Sequence, residues 1–80
     1  MVTNRLRELR REHELSQLVL ADAVLTTRQT IHAIESGKNA PSLELALRLA
    51  DYFGVRVEDI FGLKQRPKVP DRKVDPFSVF

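Results

Sequence analysis

An all-α fold, a compact bundle of five short helices, is what this 80-residue chain predicts. Three observations predict it. Apolar residues recur at i, i+3, i+4 spacing in several short runs. Ser16, Thr27 and Ser42 each stand where a helix N-cap is needed. Gly37 and Gly54 stand where two of the runs end, as left-handed C′ residues do. The length allows one domain with one modest core.

The first helix spans about residues 4–12, with Leu6 and Leu9 on its apolar side and Thr3 or Asn4 as its cap. After Ser16 a second helix turns Leu20, Ala21 and Val24 inward. Leu25 and Thr26 form a turn, and Thr27 caps a third helix. At about 100° per residue, Ile31 and Ile34 share one side of that helix. Arg28, Gln29, His32, Ala33 and Ser36 fall on the other. A loop over residues 38–41 leads to a fourth helix, read with Leu43, Ala46, Leu47, Ala50 and Phe53 as its inner stripe. A fifth, over about residues 57–61, carries Glu58 and Asp59 in its first turn, where they suit the helix dipole. From Lys64 onward Pro67, Pro70 and Pro76 exclude regular helix. The division is therefore a helical domain over residues 1–63 and a Pro-rich basic tail over residues 64–80, extended or docked on a partner. The tail closes on the apolar run Phe77-Ser78-Val79-Phe80.

Composition narrows the function. The chain has no cysteine, so disulfides and thiolate metal sites are excluded, which fits a cytoplasmic protein. No apolar run approaches membrane-spanning length. His13 and His32 have no acidic or thiol partners at ligand spacing, so no metal and no cofactor is expected. Paired catalytic carboxylates, a nucleophile–base pair and a Gly-rich phosphate loop are all missing, so the chain reads as no enzyme. A net charge of +2 says little, but its distribution says more. Arg5, Arg7, Arg10 and Arg11 crowd the first helix, and Lys64, Arg66, Lys68, Arg72 and Lys73 crowd the tail. Basic ends around a neutral centre suit a polyanion, although they also describe an ordinary solvated surface.

The third helix supplies the chemistry. Held by one face, it presents a donor-bearing side chain at each of its first positions, which is what reading base edges in the major groove needs. Arg28 can donate two bonds to guanine, or lie along a phosphate or beside a carboxylate. Gln29 can pair with adenine, though Gln is also simply a good helix former. Ala33 can touch a thymine methyl or merely admit close approach. His32 lies on the same face and can reach a base or phosphate. Gln17, Thr27, Ser36, Lys38 and Asn39 are the candidates for gripping phosphates.

The run Leu15-Ser16-Gln17, Leu20-Ala21, Thr27-Arg28-Gln29-Thr30-Ile31, Ile34-Glu35-Ser36-Gly37-Lys38 and Pro41-Ser42-Leu43, continued through Phe53-Gly54-Val55 to Asp59-Ile60-Phe61, resembles the Cro/phage-repressor (Xre-type) helix-turn-helix family. It is similar to the short dimeric cytolysin-repressor type. The resemblance covers about residues 4–62. It implies a lambda-repressor-like five-helix domain that binds double-stranded operator DNA as a symmetric homodimer. It also implies a small two-stranded β element, with equivalents at residues 1–3 and about 63–66, and an ion pair between Arg10 and Glu35 across the first and third helices. Three residues depart from the pattern. Leu25 stands where Gly is frequent in the turn, Thr26 where a buried valine is common, and Arg56 where a small capping residue is usual. Leu18, Val19, Leu45 and Tyr52 exceed what the core face needs, and a partner chain can cover them. The leading expectation is a DNA-binding transcriptional regulator that represses. The alternative is an antitoxin-type module whose tail binds a partner protein while the helical part binds the operator.

Overall fold

The computed structural model describes residues 2–63. Among them five helices and two strands follow in the order β1 (Val2–Asn4), α1 (Leu6–Glu12), α2 (Gln17–Ala23), α3 (Arg28–Glu35), α4 (Leu43–Phe53), α5 (Val57–Ile60) and β2 (Phe61–Leu63). Met1 and residues 64–80, with the whole expected tail, lie outside the described residues.

Local chemistry sets the helix ends. The hydroxyl of Ser16 accepts from the Val19 amide, that of Thr27 from Thr30, and that of Ser42 from Leu45, at 3.0–3.2 Å. Each satisfies a backbone donor that a helix start leaves without a partner. Asn4 does the same for α1, its Oδ1 accepting from the Leu6 amide at 3.1 Å. At Arg56 a long cation replaces the usual cap and has no acceptor to offer. There the reverse bond holds the turn, with the Arg56 amide donating to Asp59 Oδ2 at 2.9 Å. Gly37 (φ 81°) and Gly54 (φ 68°) end α3 and α4 in the left-handed region.

Two residues with side chains also adopt that conformation, Glu14 (φ 55°) and Leu25 (φ 61°). Leu25 is the C′ residue of α2, and the next amide, Thr26, donates back to the Ala21 carbonyl at 2.9 Å. The left-handed region costs a non-glycine residue roughly 1–2 kcal/mol. Because Leu25 is 74% exposed, removing its side chain sacrifices little packing. Leu25→Gly is therefore expected to stabilise the fold by about 0.5–1 kcal/mol, the relieved strain less the added freedom of the unfolded chain. Urea unfolding checks this as a higher midpoint at unchanged m-value.

The core gathers Leu6, Leu20, Ala21, Val24, Ile31, Ile34, Leu45, Leu49, Ala50, Phe53 and Ile60, with Leu9, Leu15, Val55, Val57 and Phe61 packed around it. On α4 the inner stripe differs from the expected one. Leu43 and Leu47 are 74% and 53% exposed, while Leu45 and Leu49 turn inward beside Ala46, Ala50 and Phe53. The helix carries two overlapping apolar stripes that share Ala46, Ala50 and Phe53, and spacing alone cannot choose between them. Packing against neighbouring elements decides. Leu45 thus leaves the surplus surface residues and joins the core, whereas Leu18, Val19 and Tyr52 are exposed.

The expected two-stranded element is present at residues 2–3 and 63 and reaches inward to Asn4 and Phe61, while residues 1 and 64–66 of it lie outside the described residues. β1 and β2 pair antiparallel with Val2 opposite Leu63, Thr3 opposite Gly62 and Asn4 opposite Phe61. Phe61 takes an extended backbone (φ −116°, ψ 145°), so α5 stops one residue earlier than its spacing suggests and the strand starts there. A half-buried aromatic suits a pleated surface better than a helix end. The Arg5 amide donates to the Ile60 carbonyl at 2.8 Å and extends this closure between the two ends of the domain.

Candidate nucleic-acid interface

The candidate surface is built on α3. Ile31 and Ile34, 0% and 1% exposed, fix one side of it in the core. Arg28 and Gln29, its first two residues, are exposed, as is His32 one turn on, while Ala33 is half-buried. These four lie together on the outer side. Thr27 stands exposed at the start of the helix, its Oγ1 2.9 Å from that of Thr30. Ser36, Lys38 and Asn39 stand exposed beyond its end, with the amides of Lys38 and Asn39 turned back onto the Ala33 carbonyl. The eight residues of α3 make a rod about 12 Å long and, with side chains, about 10–12 Å across, a diameter that the roughly 12 Å wide major groove of B-DNA admits.

Arg28 and Lys38 pair with no carboxylate among the described residues. No group of three or more potential metal ligands occurs among the described residues, and no helix there is long and apolar enough to cross a membrane.

Behind this surface sits a polar hub. The Glu35 side chain is wholly enclosed and that of Arg10 is 11% exposed. Arg10 Nε donates to Glu35 Oε2 at 2.6 Å and Nη2 to Oε1 at 3.1 Å, a two-pronged geometry. Arg10 Nη1 donates to the Leu15 carbonyl at 2.7 Å. Gln17 Nε2 donates to Glu35 Oε1 at 3.1 Å, and Arg7 approaches the same oxygen at 3.5 Å. One carboxylate thereby ties α1 and the first residue of α2 to the last residue of α3. At the same end, Asn4 Nδ2 donates to the Ile34 carbonyl at 2.8 Å and joins β1 to the C-terminal turn of α3.

Some of the phosphate candidates have side chains engaged within the domain: the Gln17 amide donates to Glu35, and the Ser36 hydroxyl donates to the Ala33 carbonyl at 3.1 Å. Gln17 Nε2 also lies 3.4 Å from His32 Nδ1. Sequence reasoning named Asn4 as a cap but missed its bond to α3, and it missed the roles of Arg7 and the Gln17 amide. The only advance signal was the excess of arginines on α1 over nearby carboxylates.

Burial pushes the Glu35 carboxyl up, but the hydrogen bonds from Arg10, Gln17 and Arg7 and the charge of Arg10 outweigh it and hold the group below its ordinary value. A depressed carboxyl stabilises the fold fully above its unfolded pKa of about 4.3 and loses that contribution as pH falls toward the lower folded value. Unfolding free energy is therefore expected to fall with decreasing pH below about 4.3, and Glu35→Gln should flatten that part of the profile. Urea titrations at a series of pH values read both slopes.

The helix-turn-helix family matches residues 6–60, most of the described chain. The protein belongs to the helix-turn-helix family. This helix-turn-helix domain is of the Xre/Cro-C1 type, and the protein is a transcriptional regulator. An uncharacterized HTH-type transcriptional regulator of Methanocaldococcus jannaschii is 52% identical over 58 residues, covering 72% of this chain and 88% of that one. The cryptic phage CTXphi transcriptional repressor RstR of Vibrio cholerae is 32% identical over 60 residues, covering 75% of this chain and 54% of its own length. Among solved structures, the restriction-modification controller protein C.AhdI of Aeromonas hydrophila is similar, with a TM-score of 0.64 at 34% identity over 69% of this chain and 83% of that one.

Proposed function

We propose that this helix-turn-helix regulator is a repressor that binds a palindromic operator as a homodimer. The observation that carries the reading is α3 itself. Two isoleucines hold it by one face, while Arg28, Gln29 and His32 stand exposed at its front and the Arg28 guanidinium has no carboxylate partner among the described residues. In this reading Arg28 forks onto a guanine, Gln29 pairs with an adenine, and Ala33 and His32 border the same base pairs. Thr27, Ser36, Lys38, Asn39 and the backbone of Gln17 bracket α3 and position it on phosphates. The Arg10–Glu35 pair sets the angle at which α3 leaves the domain.

One helix of this length reads too few bases to find a site in a genome. A two-fold dimer places two such helices about 34 Å apart, one turn of DNA, and doubles the sequence read. The exposed apolar residues Leu47 and Tyr52 on α4 give such a partner something to cover. The similarity to a phage repressor favours repression over activation. Selection of bound duplexes from a random pool tests the whole reading at once. The expected outcome is an inverted repeat whose half-sites lie about 10 base pairs apart, centre to centre. No enrichment over bulk genomic competitor overturns it.

A further inference from the structure

An apolar groove of ≈ 300 Å³ opens where the sheet meets the start of α4. Val2, Pro41, Leu43, Ala46, Val57 and Phe61 line it, and none of them carries a charge. Leu43 is 74% exposed and Val2 37% exposed, so the described residues leave both open to a covering group. From these observations we infer that the chain covers this groove itself, with residues 77–80, Phe77-Ser78-Val79-Phe80.

Three observations select that occupant. The first is where the chain leaves the described fold. Leu63 pairs with Val2 in the sheet, and Val2 is a wall of the groove, so the tail departs beside the place it fills. The second is length. Residues 64–76 separate Leu63 from Phe77, a tether reaching about 40 Å when fully extended. A tether of that kind also holds its end at an effective concentration in the millimolar range, so modest apolar contacts suffice for occupancy. The third is chemistry. The span over residues 64–75 carries Lys64, Arg66, Lys68, Arg72 and Lys73 with Asp71 and Asp75 and suits water. Phe77, Val79 and Phe80 match a groove walled by aliphatic and aromatic side chains. The inference rests on the groove and the tail alone and stands or falls independently of the nucleic-acid interface.

Nuclear magnetic resonance of the isotope-labelled full chain tests it. Cross-peaks are expected between the rings of Phe77 and Phe80 and the methyl groups of Val2, Leu43 and Val57, unchanged on tenfold dilution. Replacing both aromatics, Phe77→Ser with Phe80→Ser, should shift the groove signals and leave those of Arg28 and Gln29 in place. Leu43→Glu, at a position exposed enough to leave folding intact, should abolish the same cross-peaks while circular dichroism is unchanged. Groove signals that ignore the double serine variant overturn the inference. So do cross-peaks that arise only between labelled and unlabelled chains, which assign the groove to a second copy.

Discussion

Replacing Glu35 with alanine is expected to cost about 3–5 kcal/mol of folding free energy, a large fraction of what a domain of this size has. The loss comes less from the missing attraction than from what stays behind. Arg10, only 11% exposed, keeps its charge in a place shaped for a pair. Gln17 and Arg7 lose the same acceptor. The melting temperature should fall by more than about 10 °C, since each kcal/mol is worth roughly 4–8 °C in so small a domain. Replacing both members, Arg10→Met with Glu35→Leu, should recover most of the stability, because apolar side chains of similar size need no partner. Recovery stays incomplete because the bond from Arg10 to the Leu15 carbonyl is also lost. Thermal unfolding followed by circular dichroism separates the two variants. If Glu35→Ala melts within a few degrees of the parent, the hub does not hold α3.

Arg28→Ala should change which sequences are bound, and Lys38→Ala only how tightly. A guanidinium forked onto guanine discriminates by about 1–3 kcal/mol, so its removal should flatten preference at one base per half-site by roughly five- to hundredfold. Lys38 stands beyond the end of α3, where a phosphate contact carries no sequence information. Its removal should weaken all duplexes alike and reduce the slope of log affinity against log salt by about 1. Binding isotherms on the selected operator and its single-base variants, at several salt concentrations, read both effects. Identical behaviour of the two variants overturns the division between reading and gripping.

Most of the helical frame was legible because short-range chemistry writes it. Ser16, Thr27 and Ser42 are caps wherever they stand before such runs, and Gly37 and Gly54 end helices by the conformation they alone adopt cheaply. The inner side of α3 was equally plain, since only two positions offered branched apolar side chains. α4 was not, because eight apolar residues, alanines included, wrap more than half of it and the choice of Leu45 and Leu49 over Leu43 and Leu47 belongs to its neighbours. The start of β2 at Phe61 was hidden for the same reason, since a strand of three residues exists only by virtue of its distant partner. In the candidate site, the outward residues could be named from helical period alone. The bonds of Asn4 and Gln17 to the far end of α3 span 30 and 18 residues of sequence, and no local pattern encodes them.

The pairing of Val2 with Leu63 has a practical corollary. Because entry and exit of the folded unit lie side by side, a host protein can receive it within a single surface loop, much as a lamp is wired through one socket. The same adjacency makes the unit a candidate for circular permutation, with the old ends joined by a short linker and new ones cut at the exposed Lys38–Asn39 segment.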